Sequence, residues 1–576
     1  MATVNITIDG REIVAQAGQT ILQAARNAGI DIPTLCEHPA LEPIGACRMC
    51  LVEIEKQRAL QPACTFQVSE GMVVHTESEN VVESRKFVLE LLFSERNHYC
   101  MYCQMSGDCE LQSLAYRYGL DSWLYPRPYT PLPVDASREY FVMDHNRCIL
   151  CRRCIRACSE LVGNYTLGLG GRGSQTMIIA DMNVPFGESS CISCGTCLQV
   201  CPTGALMDRR SAYRGREVEV EHTKSICAAC SIGCGIELIS RDNQLLRIEG
   251  NWDAELNKGI LCVAGRFDPL TENRRRLFAP LVRRGDRLVA ATWEEAVDAV
   301  AKKLGSMEGS SIAALASSRI TNEALALFVD LFKGLGAKQV DSLAPIPGFL
   351  AKAEGSLSAL DEADLYVVVG EDLAADHQVA GIMVRRSVMN RGARLVLVGD
   401  DAETNGMAEL AHYTFGADEV DQAIALAQRA DVPVVIYGAG AGDLLPQLRQ
   451  ALADKAEFVG LVPGSNARGA INAGLNGAYS ADGIQAAFVL AADDQVDAAL
   501  LDKLQSADFV VAQASYQDAL VEQADVVLPT TIWAEKSGTI TNTEGRTQTM
   551  VAALKPPMSV KDDLEILRAL ADKLSA

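Results

Sequence analysis

Eight cysteines between Cys148 and Cys201 restrict what this chain can be more than any other feature. They form two runs, Cys148-x2-Cys151-x2-Cys154-x3-Cys158 and Cys191-x2-Cys194-x2-Cys197-x3-Cys201, the second closed by Pro202. At that spacing three thiolates wrap one [4Fe–4S] cube and the fourth reaches a neighbouring cube. The spacing assigns Cys148, Cys151, Cys154 and Cys201 to one cluster, and Cys158, Cys191, Cys194 and Cys197 to the other. Two cubes that share ligand loops form a segment of a wire, so the remaining sequence has to be read for what stands at its ends.

A chain of 576 residues with 48% hydrophobic content has room for several domains with real cores. Its formal charge of -22 argues against nucleic acid, whose phosphates need a basic face. The start, Met1 to Asp9, alternates like a strand and lacks the basic head and apolar core of a secretory signal. No apolar run approaches the ~18 residues that cross a bilayer, so a cytoplasmic chain without direct membrane insertion is expected. A reducing compartment does not sustain disulfide scaffolds, so the 19 cysteines, all before residue 263, point to metal binding or catalysis.

Residues 3–9 read as a strand that turns at Gly10-Arg11 and returns over 12–15, followed by a helix with Ile21, Ala24, Ala25 and Ala28 on one face. This is the opening of a β-grasp ferredoxin. Cys36, Cys47, Cys50 and Cys64 follow where that fold places a [2Fe–2S] cluster, with zinc as the alternative at this spacing. A helix over 81–92, with Val82, Phe87, Val88, Leu91 and Leu92 apolar, leads into His98, Cys100, Cys103 and Cys109. Three thiols are one ligand short of a cube. His98 could supply the fourth, or be an ordinary surface histidine beside a three-ligand site. Residues 120–140, rich in Tyr, Pro and Trp, read as an extended connector. Arg147, Arg152, Arg153 and Arg156 crowd the first double-run loop, where they could favour a reduced cluster or simply face solvent or a partner. After a linker over 208–221, Cys227-x2-Cys230-x3-Cys234 with Cys262 suits a fifth cluster on a small antiparallel subdomain, with zinc again the alternative. With His98 as the twentieth ligand, the 19 cysteines complete five groups of four and leave no thiol over.

Beyond Trp293 the texture changes. A helix over 293–304 opens with a Thr292/Glu295 capping box. Apolar strand-like runs over 311–316, 365–369, 394–398, 433–437, 487–490, 509–512 and 525–528 then alternate with helices, a βαβ rhythm that implies parallel sheets. Gly438-Ala-Gly-Ala-Gly442 lacks the full dinucleotide fingerprint and reads as a tight turn.

The cysteine sets, with His98-x-Cys100-x2-Cys103-x5-Cys109-Glu-Leu-Gln, resemble the large iron–sulfur subunit of respiratory complex I, the NADH:quinone oxidoreductase. They resemble equally the electron-input halves of NAD-linked hydrogenases and formate dehydrogenases. The second half resembles the molybdopterin-oxidoreductase fold through Ala524-Asp-Val-Val-Leu-Pro529 and Glu535-Lys-Ser-Gly-Thr-Ile-Thr-Asn542-Thr-Glu-Gly-Arg546. The resemblance implies an α+β multidomain chain: a β-grasp [2Fe–2S] ferredoxin over 1–78, a [4Fe–4S] module with one histidine and three cysteine ligands over 79–119, a double-cube ferredoxin over 140–210, a [4Fe–4S] subdomain over 220–275 and a truncated molybdopterin-oxidoreductase-like α/β domain over 276–576. It implies one [2Fe–2S] and four [4Fe–4S] clusters. FMN and NAD are expected on a flavin-binding partner, beside a small [2Fe–2S] subunit.

Two departures refine this. Complex I generally keeps one cube in the ferredoxin-like segment, whereas ligands for both tilt the expectation toward a soluble, electron-bifurcating or simple hydrogenase or formate dehydrogenase complex. Active formate dehydrogenases carry a cysteine or selenocysteine metal ligand soon after the region resembling 317–323; Gln339 to Pro347 has neither, only Ser342. The chain also ends at Ala576, before the cofactor-clamping domain of active relatives, so no molybdopterin is expected. The expected role is an electron relay between a flavin/NAD subunit and a second redox subunit, with no complete substrate site on this chain. The alternatives are a catalytic molybdenum-dependent formate dehydrogenase subunit and the large iron–sulfur subunit of complex I itself.

Overall fold

The computed structural model describes residues 2–125 and 131–575, so residues 126–130 of the expected connector lie outside the described residues. The chain divides into two compact units, 1–220 and 221–576.

The first unit opens with the hairpin β1 (Thr3–Ile8) and β2 (Arg11–Gln16). Asp9 and Gly10 both take positive φ, the two-residue turn whose twist matches that of paired strands. Thr20 caps α1 (Ile21–Asn27) in a reciprocal box with Gln23, and Ile21, Leu22, Ala24 and Ala25 are buried on the sheet. With β3 (Leu51–Ile54), β4 (Gln61–Pro62) and β5 (Val73–His75) the sheet order is β2-β1-β5-β3-β4, β1 and β5 being parallel. This is the β-grasp arrangement.

Helix α2 (Glu79–Glu95) buries Val81, Arg85, Leu89 and Phe93, a clean i, i+4 stripe. The apolar pattern of the sequence would put Phe87 and Leu91 on the inner face, but they are 50% and 41% exposed. Arg85 takes that face because its donors are met there, by the carbonyls of Met49 and Leu51, by Glu77 and by the Tyr118 hydroxyl. Helix α3 (Glu110–Arg117), strands β6 (Val134–Asp135) and β7 (Phe141–Asp144), the hairpin β8 (Leu167–Gly170) and β9 (Met177–Ala180), and β10 (Leu206–Asp208) complete the unit. Its second sheet runs β10-β7-β6.

The second unit begins with the antiparallel meander β11 (Glu221–Ile226), β12 (Gly235–Arg241) and β13 (Gln244–Gly250). Two mainly parallel sheets follow. The larger, built from β14 (Leu281–Arg284), β15 (Arg287–Ala290), β16 (Ile312–Ala316), β17 (Gln339–Ser342), β23 (Ala486–Ala492), β24 (Phe509–Ala514) and β25 (Val526–Pro529), has the order β15-β14-β25-β24-β23-β16-β17. The smaller, from β18 (Leu365–Val369), β19 (Arg394–Val398), β20 (Tyr413–Phe415), β21 (Pro433–Tyr437) and β22 (Glu457–Gly460), has the order β20-β19-β18-β21-β22. Central strands such as β16, β18 and β21 are buried along their whole length, which is why they read as unbroken apolar runs. The hairpin β26 (Gly538–Thr541) and β27 (Thr547–Met550) closes over the meander, β27 lying against β11. Residues 438–442 form the tight turn that their glycines suggest, packed against Gly370.

Candidate metal centres

All 19 cysteines are free thiols. In the group nearest the start of the chain the Cys36 N–H donates to the Cys47 sulfur at 3.3 Å and the Cys47 N–H returns to the Cys36 sulfur at 3.4 Å. Arg48, between Cys47 and Cys50, turns the loop at φ 63. The Cys47 thiol and nearby backbone N–H groups hold Cys36 down to about 6, against burial. Cys64 is lowered in the same way by the Cys50 thiol, and Cys47 and Cys50 are pushed up as the proton-keeping partners. A bound metal would take both thiols of each pair as thiolates.

The two double-run loops have the same backbone. Leu150 and Arg152 in the first, and Ser193 and Gly195 in the second, all take positive φ at corresponding positions. The left-handed turns aim N–H groups at sulfur: Leu150 to Cys148 and Ser193 to Cys191, both at 3.4 Å. Each loop then runs into a short helix, Arg153–Arg156 or Thr196–Gln199, which carries the third cysteine inward. Cys151 is raised by burial and then by Cys201 and Cys148, and Cys154 by burial and then by Cys151, Cys148 and Cys201. Cys158 is pushed up to about 11 by burial, with Cys194 and Cys191 as its ionisable neighbours. Cys197 faces Cys194, Cys191 and Cys158 most strongly, and Cys201 last. The last cysteine of each run thus neighbours the thiols of the other run.

His98 lines a small cavity with Cys100, Cys103, Cys109, Arg147 and Gly204. Its ring meets Phe93 edge-on at 5.3 Å, and its carbonyl accepts from the Cys100 thiol. Burial pushes Cys109 up to about 12. Burial opposes the charge on Arg147, but Cys103 and Asp144 outweigh it and keep the guanidinium ionised. Gly204 is a residue that sequence reasoning misses. A Cβ there would stand 2.5 Å from the Cys103 sulfur, so only glycine lets the segment that follows Cys201 pass this site. The Pro202-Thr-Gly204 step after a cluster cysteine is the available signal.

The crowding arginines also have definite roles. Arg153 grips Glu110 with two bonds of 2.5 and 2.8 Å, and Arg156 donates to the carbonyls of Cys36 and Glu42. Arg153 and Arg156 tie the thiol groups to each other instead of facing solvent, while Arg152 is exposed. Within the first unit the Cys36 group therefore adjoins the Cys148 group through Arg156, and the Cys148 group adjoins the His98 group through 201–204. The Cys158 group branches from the Cys148 group.

In the second unit Cys227 follows directly on β11, its N–H bonding the Cys234 carbonyl at 2.8 Å, and Cys262 caps the helix Val263–Arg266. Asn257 holds the loop through the N–H and carbonyl of Gly235 and the carbonyl of Ile260. Cys230 and Cys234 are raised by burial and by the other thiols of the group, and Cys262 is pushed up to about 12. Gly265 leaves the sulfurs room, since a Cβ there would lie 3.2 Å from the Cys227 sulfur. Cys227 also borders a cavity of about 350 Å³ lined by Arg274, Arg319, Asp493, Tyr516 and Trp533. Ser342 is buried and donates its hydroxyl to the Ala344 carbonyl at 2.5 Å.

The donor chemistry fits iron–sulfur clusters: buried and half-buried thiols in four sets of four and one set of three beside His98, N–H groups aimed at sulfur, and glycines leaving space beside it. Among the described residues no three such side chains are placed to share one metal ion.

Five family profiles tile the chain: a 2Fe-2S iron-sulfur cluster binding domain over 1–79, the NADH-ubiquinone oxidoreductase-G iron-sulfur binding region over 85–122, the NADH-quinone oxidoreductase subunit 3 ferredoxin-like domain over 139–207, the molybdopterin oxidoreductase Fe4S4 domain over 220–269, and molybdopterin oxidoreductase over 276–441 and 449–573. The NADH-ubiquinone oxidoreductase 78 kDa subunit of Candida albicans is 30% identical over 613 residues, an alignment that spans 100% of this chain and 83% of the yeast protein. The chain belongs to the NADH-quinone oxidoreductase-G family. Among other members, NADH-quinone oxidoreductase subunit 3 of Thermus thermophilus is 29% identical over 99% of this chain and 83% of its own length. A second oxidoreductase-G chain, from Rhizobium meliloti, is 33% identical over 69% of this chain, and the match spans 48% of that relative. Among solved structures, a chain of an NAD+-reducing [NiFe]-hydrogenase in the H2-reduced state is 36% identical, covering 37% of this oxidoreductase-G family member and 91% of the hydrogenase chain, with a TM-score of 0.35. No helix among the described residues is long and apolar enough to cross a membrane.

Proposed function

We propose that this oxidoreductase-G family member is the iron–sulfur electron-transfer subunit of an NAD(P)H-linked oxidoreductase, working in the cytoplasm. Electrons enter from a partner that binds flavin and NAD, accompanied by a small [2Fe–2S] subunit, and leave to a second redox subunit. The observation that carries this reading is the contiguity of four thiol groups in the first unit, each one residue or one short segment from the next. When bound, one [2Fe–2S] and four [4Fe–4S] clusters supply the one-electron centres. The protein's share is to hold ligands, aim N–H groups at sulfur and exclude water, which together set spacing and potential.

The Cys158, Cys191, Cys194, Cys197 set favours one branch of this role. Complete ligands for a second cube support a hydrogenase-type or formate-type complex, with the complex I branch as the alternative that the relatives' names favour. The second reading, a molybdenum-dependent formate dehydrogenase subunit, draws on the molybdopterin oxidoreductase match over 276–573 and on the cavity beside Cys227. Against it, the hydroxyl of Ser342 is already committed to a backbone carbonyl.

Two measurements decide between these. NADH added to the isolated chain leaves its clusters oxidised, and a flavin-binding partner restores reduction; rapid reduction by NADH without a partner contradicts the assignment. Stoichiometric molybdenum or tungsten in the purified protein would establish the second reading instead.

A further inference from the structure

The loop between Cys230 and Cys234 carries Ser231, which is fully buried. Its hydroxyl lies 3.1 Å from Nε2 of His377, and Nδ1 of His377 lies 2.6 Å from Oε1 of Glu371. His377 and Glu371 are themselves 2% and 7% exposed. The order serine, histidine, carboxylate is the one that activates a nucleophile in acyl transfer. Here no reactant can reach the serine, and its loop begins and ends on thiols of the fifth group. The arrangement orients a hydroxyl.

The direction of that orientation follows from donors and acceptors. A carboxylate on Nδ1 fixes the tautomer with the proton on Nδ1, which leaves Nε2 as an acceptor. Two groups approach Nε2: the Ser231 hydroxyl, and the Val462 carbonyl at the longer distance of 3.3 Å. Only the hydroxyl can donate. The Ser231 proton therefore points at His377. The rest of the loop is pinned: the Thr543 N–H bonds the Ser231 carbonyl at 2.8 Å, Asn542 bonds the Ile232 carbonyl at 3.3 Å, and Gln548 bonds the Gly233 carbonyl at 2.8 Å. The hydroxyl is the donor in this loop that becomes free to rotate once its acceptor is removed.

We propose that His377, held by Glu371, is a positioning residue that withholds the Ser231 hydroxyl from the Cys227, Cys230, Cys234, Cys262 site and so keeps the reduction potential of that centre low. The inference rests on those four cysteines being the ligands of one cluster. Hydrogen bonds to cluster sulfurs raise the potential, so a hydroxyl released beside Cys230 favours the reduced state.

The test is an EPR-monitored redox titration of the full chain in its complex, comparing wild type, H377A, S231A and the double variant. H377A should raise the midpoint of this centre about tenfold in the reduction equilibrium, ~59 mV for a one-electron couple. S231A should stay at the wild-type value, and S231A in the H377A background should cancel the shift. A purely structural histidine would not give that cancellation. An unmoved or lowered midpoint in H377A, or a double variant that keeps the shift, overturns the proposal. If H377A does not accumulate, H377F alone and with S231A repeats the comparison: a raised midpoint that S231A cancels supports the proposal, and an unmoved midpoint or a fall in S231A alone overturns it. Should Cys230→Ala remove no centre from the wild-type spectrum, the ligand reading fails and this inference with it; a centre present but indifferent to His377 overturns the inference alone.

Discussion

Gly204 has no room for a side chain, and the reason is a single sulfur. Gly204→Ala would press a methyl group against the Cys103 thiol, an overpacking that costs ~1–3 kcal/mol where the backbone must shift. The expected outcome is loss or distortion of one [4Fe–4S] signal by EPR with the others intact. His98 makes a complementary prediction at the same site. Imidazole in place of thiolate removes negative charge from a cluster, so His98→Cys should keep a cube with a lower midpoint potential, whereas His98→Ala should perturb or lose it. Identical spectra and potentials in wild type and both variants would refute ligation. Sequence spacing points to His98, whereas for Gly204 the only local signal is its place two residues after Pro202, because the contact that fixes it, with Cys103, joins residues far apart in the chain.

At the scale of elements, the start of the segment 535–546 is anchored by buried ion pairs. Lys536 and Asp563 form a buried ion pair at 2.8 Å, with Gln513 and Thr530 also donating to Asp563, while Glu535 pairs with Arg276 at 2.7 Å. Lys536→Met would leave the Asp563 carboxylate uncompensated and should destabilise the second unit by ~3–5 kcal/mol, read as a lower midpoint in chemical denaturation. A stability unchanged from wild type would contradict this. Glu323 ties the helix Asn322–Gly334 to β26. Burial alone would raise its carboxyl, but the N–H and hydroxyl of Thr539 outweigh burial and hold it below the usual carboxylate range. A lowered folded-state pKa stabilises above the unfolded value, near ~4.3, and that stability is lost as pH falls through the folded value. Glu323→Gln should therefore cost less than about 1 kcal/mol at neutral pH, since solvent screens the site, and should flatten the acid limb of the stability profile. An acid limb identical to wild type would exclude this carboxylate as a contributor.

Across the whole molecule, what can be read from the chain is what is local. The cysteine loops, the Thr292 cap and the unbroken apolar strands are each set within a few residues, and the structure places the cap and strands accordingly. What cannot be read is long-range. The inner face of α2 is built around Arg85 because carbonyls of Met49 and Leu51 wait there, so Phe87 and Leu91 are left outside. Arg153 and Arg156 look like a charged surface in sequence and are ties between thiol groups, because their acceptors come from distant parts of the chain. His377 carries no motif at all; its meaning depends on Ser231, which arrives from another part of the fold. The central claim, a relay of five clusters with twenty protein ligands, is tested most directly by EPR spin quantitation of the anaerobically purified chain during dithionite reduction. The account predicts five one-electron centres, one with [2Fe–2S] and four with [4Fe–4S] character, supported by about eighteen irons per chain. Three or fewer centres, with zinc in place of the missing iron, would contradict it.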